Sequence, residues 1–140
     1  MCRGRVEASR FRTWAMAIFA WAFLIFWISG LTAALTGAAC GKDRYEGAKK
    51  LRFCTISLVA SRGFELSPVQ KAKGAFLHLE RGIALAQLER EEEARIAFAR
   101  AIENARGADG PWGEQLRERM DRLNDPRAVA LWQDALGAAE

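Results

Sequence analysis

A run of 29 residues from Thr13 to Gly41 contains no Asp, Glu, Lys, Arg or His: TWAMAIFAWAFLIFWISGLTAALTGAACG. Its first half, Trp14 to Ile28, is almost purely apolar. The weaker run behind it extends the segment past the roughly 20 residues that cross the hydrocarbon of a bilayer. Residues 13–39 are therefore predicted to be a transmembrane signal anchor, preceded by a basic cytoplasmic tail at residues 1–12.

The same run has the order of a cleavable secretory signal. A basic tail and an apolar centre are followed by the small residues Gly37-Ala38-Ala39 in front of Cys40. Signal-peptide cores usually span about 7–15 residues, and Trp14 to Ile28 alone reaches that upper limit. The length favours an uncleaved anchor, with cleavage before Cys40 as the alternative. Acylation of Cys40 is disfavoured, because Gly37 stands where a lipoprotein needs a Leu-like residue.

The positive charge is concentrated at the N-terminal end. Residues 1–12 carry four arginines against Glu7, so this tail holds +3 of the formal net charge of +4. The nearly neutral remainder gives no support to nucleic-acid binding, although the sequence pI is about 9.3. About 100 residues after the apolar run make one small domain at most. That size leaves little room for an enzyme with separate substrate and cofactor lobes.

The cysteines bear on the orientation of the chain. Five basic residues follow the apolar run as closely as four precede it, so the distribution of charge does not decide which side holds the domain. Cys40 and Cys54 lie on one side of the run, and Cys2 lies on the other. If the long side is oxidising, Cys40 and Cys54 can form a structural disulfide; two buried thiols are the alternative. Their separation is too long for a C-x-x-C redox pair, and no histidine accompanies them as a zinc ligand.

Breaker residues divide the chain after the run into five helical stretches, and no strand pattern of alternating apolar residues is present. Ser67 and Gln70 form a predicted capping box around Pro68, and Asp125-Pro126 is a second predicted helix start. The chain is therefore predicted to be all-α, with a transmembrane helix followed by a short antiparallel array of about five helices in residues 40–140. The predicted bounds of the five are 43–60, 67–88, 91–105, 111–123 and 125–138.

Two of these helices repeat a pattern of small and aromatic residues at a displacement of 34. Each set occupies positions i, i+4, i+7 and i+8, which share one helical face, and the small residues on that face permit close helix contact. A period of 34 is typical of helix-turn-helix arrays. The two sets are Ala94, Phe98, Ala101 and Ile102, and Ala128, Trp132, Ala135 and Leu136.

The stretch from Ala75 to Ile102, AFLHLERGIALAQLEREEEARIAFARAI, resembles a tetratricopeptide repeat. Gly82, Ala94, Phe98 and Ala101 stand at the spacings of that family. There are departures: the sequence has His78 where Trp is typical, Arg81 where Leu is typical, and Leu85 where Tyr is usual. The helix that begins near Trp112 matches poorly and resembles a degenerate cap. Upstream, the segment around Cys54 is similar to secreted bacterial members in which a Cys on the second helix pairs with an earlier Cys.

This resemblance implies a protein-binding role rather than catalysis. Tetratricopeptide arrays place a peptide or a helix of a partner in a concave groove, and the corresponding groove positions here are Phe76, Leu79, Ile83 and Ala86. The Lys, Arg and Asn residues with which the family clamps a peptide carboxylate are absent from these positions. An apolar groove instead suits a hydrophobic or amphipathic helix. The alternative is that the chain's own terminal helix fills it. Residues predicted to pack the repeats are Gly82, Ala94, Phe98, Ala101, Ala128, Trp132 and Ala135.

Other chemistry has little support in the sequence. His78 is expected to be a partly buried helix residue rather than a base or a metal ligand. Glu89 to Glu93 is expected to be a solvated helix start rather than a calcium site. The arginines between Arg117 and Arg127 alternate with acids, which favours solvated ion pairs. Phosphate-loop, dinucleotide and zinc-protease motifs are absent, so we expect no catalytic residue, metal, cofactor, small-molecule substrate or nucleic acid.

These observations predict a single-pass bacterial inner-membrane protein whose C-terminal domain lies in the periplasm. Its expected role is that of a protein–protein interaction module, an accessory or scaffold subunit of a membrane complex. The alternative is a soluble periplasmic binding protein released by cleavage before Cys40. A redox protein that uses Cys40 and Cys54 is a third hypothesis.

Overall fold

Six α-helices form the chain in a computed structural model that describes residues 3–61, 68–108 and 110–139, with side chains from residue 14 onward except that of Pro68. No strand occurs in these three segments. The predicted all-α architecture, a long apolar N-terminal helix followed by five shorter helices, is confirmed. The helices are α1 (Arg3–Cys40), α2 (Gly47–Ser61), α3 (Pro68–Gln87), α4 (Glu91–Arg106), α5 (Trp112–Asp121) and α6 (Pro126–Gly137).

The stretch of α1 from Trp14 to Ile28 is apolar on every side. All of its large apolar side chains between Trp14 and Ile28 are exposed. A helix without a polar face belongs in a protein core or in a membrane, and no core surrounds this segment. The stretch Trp14–Cys40 has 27 residues and a mean hydropathy of 2.0, so it is long and apolar enough to cross a bilayer. A signal sequence meets the same criterion of length and composition.

The last part of α1 is packed into the domain. Cys40 is fully buried and disulfide-bonded to Cys54, with 4.9 Å between the two Cα atoms. One turn further along α2, the hydroxyl of Ser57 donates a hydrogen bond of 3.1 Å to the carbonyl of Ala33. These contacts place α2 antiparallel to the last turns of α1. The last turns of α1 therefore pack against α2, which hydropathy alone does not show, and the domain boundary at residue 40 stays a prediction.

α2 begins four residues later than the predicted start at Asp43. Gly47 has a φ of +52°, a left-handed conformation that glycine adopts without strain, and this conformation separates the helix from the turn before it. The backbone N–H of Gly47 donates to Oε1 of Gln87, 2.9 Å away at the end of α3. This bond holds the start of α2 against the far end of α3.

The other helix starts follow local signals. α3 begins at Pro68 as predicted, while the Ser67 side of its capping box lies outside the described residues. Asp125 caps α6, since its carboxylate accepts from the backbone N–H groups of Arg127 and Ala128 at 3.1 Å each. The acidic first turn of α4 is solvated, and its Glu93 pairs with Arg90.

α3 lies at the centre of the domain, where it contacts α2, α4, α5 and α6. It approaches α4 closely at Gly82, where an added Cβ would lie 2.5 Å from a ring carbon of Phe98. Phe98 in turn meets Trp132 of α6 edge-on, with 5.7 Å between the ring centroids. Glycine is therefore required at residue 82 by the aromatic ring opposite it. All seven predicted packing residues are buried in the structure: Gly82, Ala94, Phe98, Ala101, Ala128, Trp132 and Ala135.

Candidate functional site

The groove predicted on α3 is not open. Leu79, Ile83 and Ala86 are fully buried in the chain's own hydrophobic core, and only Phe76 remains partly exposed. Phe76 lies edge-on to Trp112 of α5, with 6.3 Å between the ring centroids. The prediction of a partner groove at these four positions is therefore corrected. With so few helices in the array, the C-terminal helices α5 and α6 pack back onto α3 and occupy this side of it.

A different cleft, of about 780 Å³, opens between α1 and α3. Its lining is mostly apolar, and its volume is within the roughly 300–1,000 Å³ common for ligand sites. Of the four predicted groove residues, Phe76 is the one that lines this cleft. The lining residues used below are Gly30, Ala33, Ala34, Gly37 and Ala38 of α1, and Gln70, Lys73, Phe76 and Leu77 of α3.

The α1 wall of the cleft consists of small residues at spacings of three and four, which share one face of the helix. This face also makes the contact with α2, because a Cβ on Gly37 would lie 3.0 Å from the Ser57 hydroxyl oxygen. Without long side chains, backbones can approach closely, which is how helices associate in membranes. The cleft therefore presents a surface suited to a second helix or another apolar segment.

Charged residues close one end of the cleft. Glu80 of α3, which is 4% exposed, forms an ion pair with Lys50 of α2 and accepts a bond of 2.7 Å from Nε of Arg119 on α5. Arg119 also pairs with Asp43 in the turn after α1. The hydrogen bond with Glu80 raises the pKa of Arg119 above its usual value, although partial burial acts in the opposite direction. These side chains connect α2, α3, α5 and the turn.

The sequence indicates this network only weakly. It placed Arg119 among solvated pairs of mixed sign, and that description fits its neighbour Arg122, which pairs with Glu118 at 2.6 Å on the surface. Arg119 differs because its guanidinium group reaches Glu80 of α3. For Glu80 the sequence contains a weak indication of an ion pair, because an acidic residue among the buried positions of an amphipathic helix needs a partner. The partner itself is brought there by the tertiary fold.

His78 lies on another side of α3, in a polar hollow of about 370 Å³ between α2 and α4. The residue is 9% exposed, and its Nδ1 has no hydrogen-bond partner among the described residues. Burial, together with the nearby positive charges of Arg100 and Arg81, lowers the pKa of His78 from 6.5 to about 4. The imidazole is therefore neutral at pH 7.

The low pKa of His78 predicts a loss of stability in acid. In the unfolded chain the imidazole binds a proton near pH 6.5, whereas in the folded chain it does so only near pH 4. Unfolding therefore takes up a proton between these values, and the free energy of unfolding should fall by about 3 kcal/mol as the pH drops through this window. Above pH 6.5 His78 should make no contribution to the pH dependence of the free energy of unfolding.

Because the chain has a single histidine, NMR titration of the imidazole signal measures this pKa directly. His78→Gln should remove this part of the pH dependence from the denaturation curves while other acid-sensitive groups keep theirs. A titration midpoint near 6.5 in the folded chain would contradict the burial of His78.

The described residues contain no group of three or more His, Cys, Asp or Glu side chains that could hold a metal ion. Both cysteines of the disulfide are fully buried, so a redox partner has no access to it in this conformation. Comparison with protein-family models, with curated proteins and with solved structures gave no match to the chain.

Proposed function

We propose that this protein is a membrane-tethered, non-catalytic interaction module whose tetratricopeptide-like helical domain binds a protein partner beside its own anchor. The role is that of an accessory or scaffold subunit of a bacterial inner-membrane complex, with the domain on the periplasmic side. The observation that carries the proposal is the cleft, because one of its walls is the same helix that is apolar enough to span the membrane. A partner in the cleft is therefore held at the membrane.

The packing of α1 supports an uncleaved anchor over a released domain. Cleavage before Cys40 would remove the carbonyl of Ala33 that Ser57 binds, and also Gly37, which contacts Ser57. It would expose the face of α2 and α3 that α1 covers. A domain that uses part of its signal segment as structure is expected to retain that segment. The Cys40–Cys54 disulfide supports an oxidising compartment for the domain.

The contacts between α3, α4 and α6 support the tetratricopeptide-like arrangement. Gly82 of α3 lies opposite the ring of Phe98 on α4, and the missing side chain of the glycine lets the two helices of this hairpin pack closely. Trp132, displaced by 34 residues from Phe98, packs on that ring. The array is short, and its last helices close one side of α3. The cleft beside α1 stays open, and the partner binds there.

The experiment is site-specific photo-crosslinking of the full chain in its own host cells. A photoreactive residue at Ala38, which is exposed on the cleft wall, should give a discrete protein adduct in the membrane fraction. The same residue at Leu35, which is exposed on α1 but does not line the cleft, is the matched control and should give no such adduct. Ala34→Trp, which fills the cleft, should abolish the Ala38 adduct while leaving the helical signal intact.

Two further readouts of the same sample test the tether. Intact mass should show residues 1–140 in the membrane fraction, and non-reducing peptide mapping should recover the Cys40–Cys54 pair. A soluble chain that lacks residues 1–39 would overturn the anchor in favour of the secreted binding protein. Free thiols at both positions would place the domain in the cytoplasm. Equal adducts from Ala38 and Leu35 would rule out the cleft as the binding site.

A further inference from the structure

Most of the apolar surface outside α1 is collected at one end of the domain. Among the described residues after Cys40, the exposed large apolar side chains are Ile56, Val59, Val69 and Ile96. The first three lie in the last two turns of α2 and the first turn of α3, which we call the α2–α3 end. Ile96 lies on α4, towards the opposite end. Single exposed apolar residues are common on protein surfaces, but a cluster at one end requires an explanation.

The antiparallel contact between α1 and α2 fixes where the α2–α3 end lies relative to the anchor. Cys54 is level with Cys40, and Ser57 is level with Gly37, so each further turn of α2 moves back along α1 towards its exposed apolar half. Ser61, the last residue of α2, lines the same cleft as Gly30. The last residues of α2 are therefore level with residues 30–34 of α1, and Val59 is level with about residue 35.

That level coincides with the expected surface of the bilayer. The 20 residues from Trp14 to Ala33 are about 30 Å long at about 1.5 Å per residue, which matches the thickness of the hydrocarbon. If this segment spans the membrane, the hydrocarbon ends where α2 ends and α3 begins. The remaining turns of α1, up to Cys40, then stand above the bilayer as part of the domain.

The charges at this end are those of a surface that meets lipid headgroups. Lys71 and Lys73 are exposed on the first turns of α3, and Arg106 is exposed at the end of α4. The end of α4 is adjacent, because a Cβ on Gly107 would lie 3.5 Å from Cδ and Nζ of Lys71. None of the three basic residues forms an ion pair with another described side chain. Glu103, on the same stretch of α4, offsets one of the three positive charges.

We infer that the α2–α3 end rests on the membrane surface from which α1 emerges, an inference that depends on the proposed span. Val59 and Val69 enter the boundary between headgroups and acyl chains, and Ile56 lies about one turn above it, among the headgroups. Lys71, Lys73 and Arg106 meet the phosphates of anionic lipids, and the lysine stems extend along the apolar layer. The domain thus has two attachments to the membrane, which fixes its orientation and turns the mouth of the cleft towards the bilayer.

Spin labelling of the full chain in lipid vesicles tests this placement. In a Cys2→Ser background, labels at Val59→Cys and Val69→Cys are compared with one at Ile96→Cys, an equally exposed apolar position away from the bilayer. The measurement is the accessibility of each label to oxygen, which dissolves in lipid, relative to a water-soluble nickel complex. In vesicles of phosphatidylcholine with phosphatidylglycerol, this ratio should be at least about threefold higher at Val59 and Val69 than at Ile96.

Two further comparisons test the role of lipid charge and the position of the span. Lys71→Glu combined with Lys73→Glu should lower the ratio at Val59 to that at Ile96, since anionic lipid then repels this end. A label at Phe23→Cys reports on the span. Water-like ratios at Val59 and Val69 with a lipid-like ratio at Phe23 would overturn the docking and leave the tether standing. A water-like ratio at Phe23 as well would overturn the span and the docking together.

Discussion

Replacing Trp132 by alanine is expected to lower the free energy of unfolding of the domain by about 3–5 kcal/mol. The indole is 2% exposed, and its removal leaves a cavity between α6 and α4 that the surrounding backbone can only partly close. It also removes the edge-on contact with Phe98, which joins the two helices that carry the 34-residue repeat. The measurement is denaturant unfolding of the full chain in mild detergent, followed by far-UV circular dichroism.

Trp14→Ala is the matched control. Trp14 is 70% exposed on α1, so its loss should change the unfolding free energy by less than about 0.5 kcal/mol. A double-mutant cycle with Phe98→Ala isolates the ring contact, for which a coupling of about 0.5–1.5 kcal/mol is expected. If Trp132→Ala had no more effect than Trp14→Ala, α6 would not be packed against α4.

The core of the domain was predictable because its signals are local. Positions i, i+4, i+7 and i+8 define a helical face whatever the rest of the chain does, and the repeat of Phe98 as Trp132 marked that face twice. The side of α3 left open was not predictable by the same argument. Leu79 and Ile83 fit a groove and a core equally well by residue type. The way the C-terminal helices fold back onto α3 decides between the two.

The cleft and the charged residues at its end were even harder to predict from the sequence. Hydropathy assigns the whole uncharged run to the membrane segment. In the structure, the end of this run is joined to the domain, because Ser57 of α2 donates a hydrogen bond to the carbonyl of Ala33. That bond uses a backbone acceptor, which any residue at position 33 would supply. The small residues of α1 suggested a cleavage site or a weaker part of the span, and their role as a cleft wall depends on α3 lying opposite. Contacts between distant segments determine the site.

Replacing Glu80 by alanine is expected to lower the free energy of unfolding by about 3–5 kcal/mol. The carboxylate is buried between the ammonium group of Lys50, whose side chain is 3% exposed, and the guanidinium group of Arg119. Without it the charge of Lys50 is left in the interior with no acidic partner among the described residues. Glu118→Ala is the matched control, because Glu118 pairs with Arg122 in solvent and should contribute less than about 1 kcal/mol.

A double variant, Lys50→Met with Glu80→Leu, separates the two cations that Glu80 contacts. If the uncompensated charge of Lys50 causes the loss, replacing both members by apolar residues should recover most of the stability, since a buried ion pair often contributes little over an apolar pair of similar size. Arg119 is more exposed and keeps its pair with Asp43 in this variant. If the double variant is as unstable as Glu80→Ala, the bond from Arg119 to Glu80 carries the stabilisation. In that case Arg119→Met alone should be equally unstable in the same unfolding measurement, because α5 would lose its polar attachment to α3 at the end of the cleft.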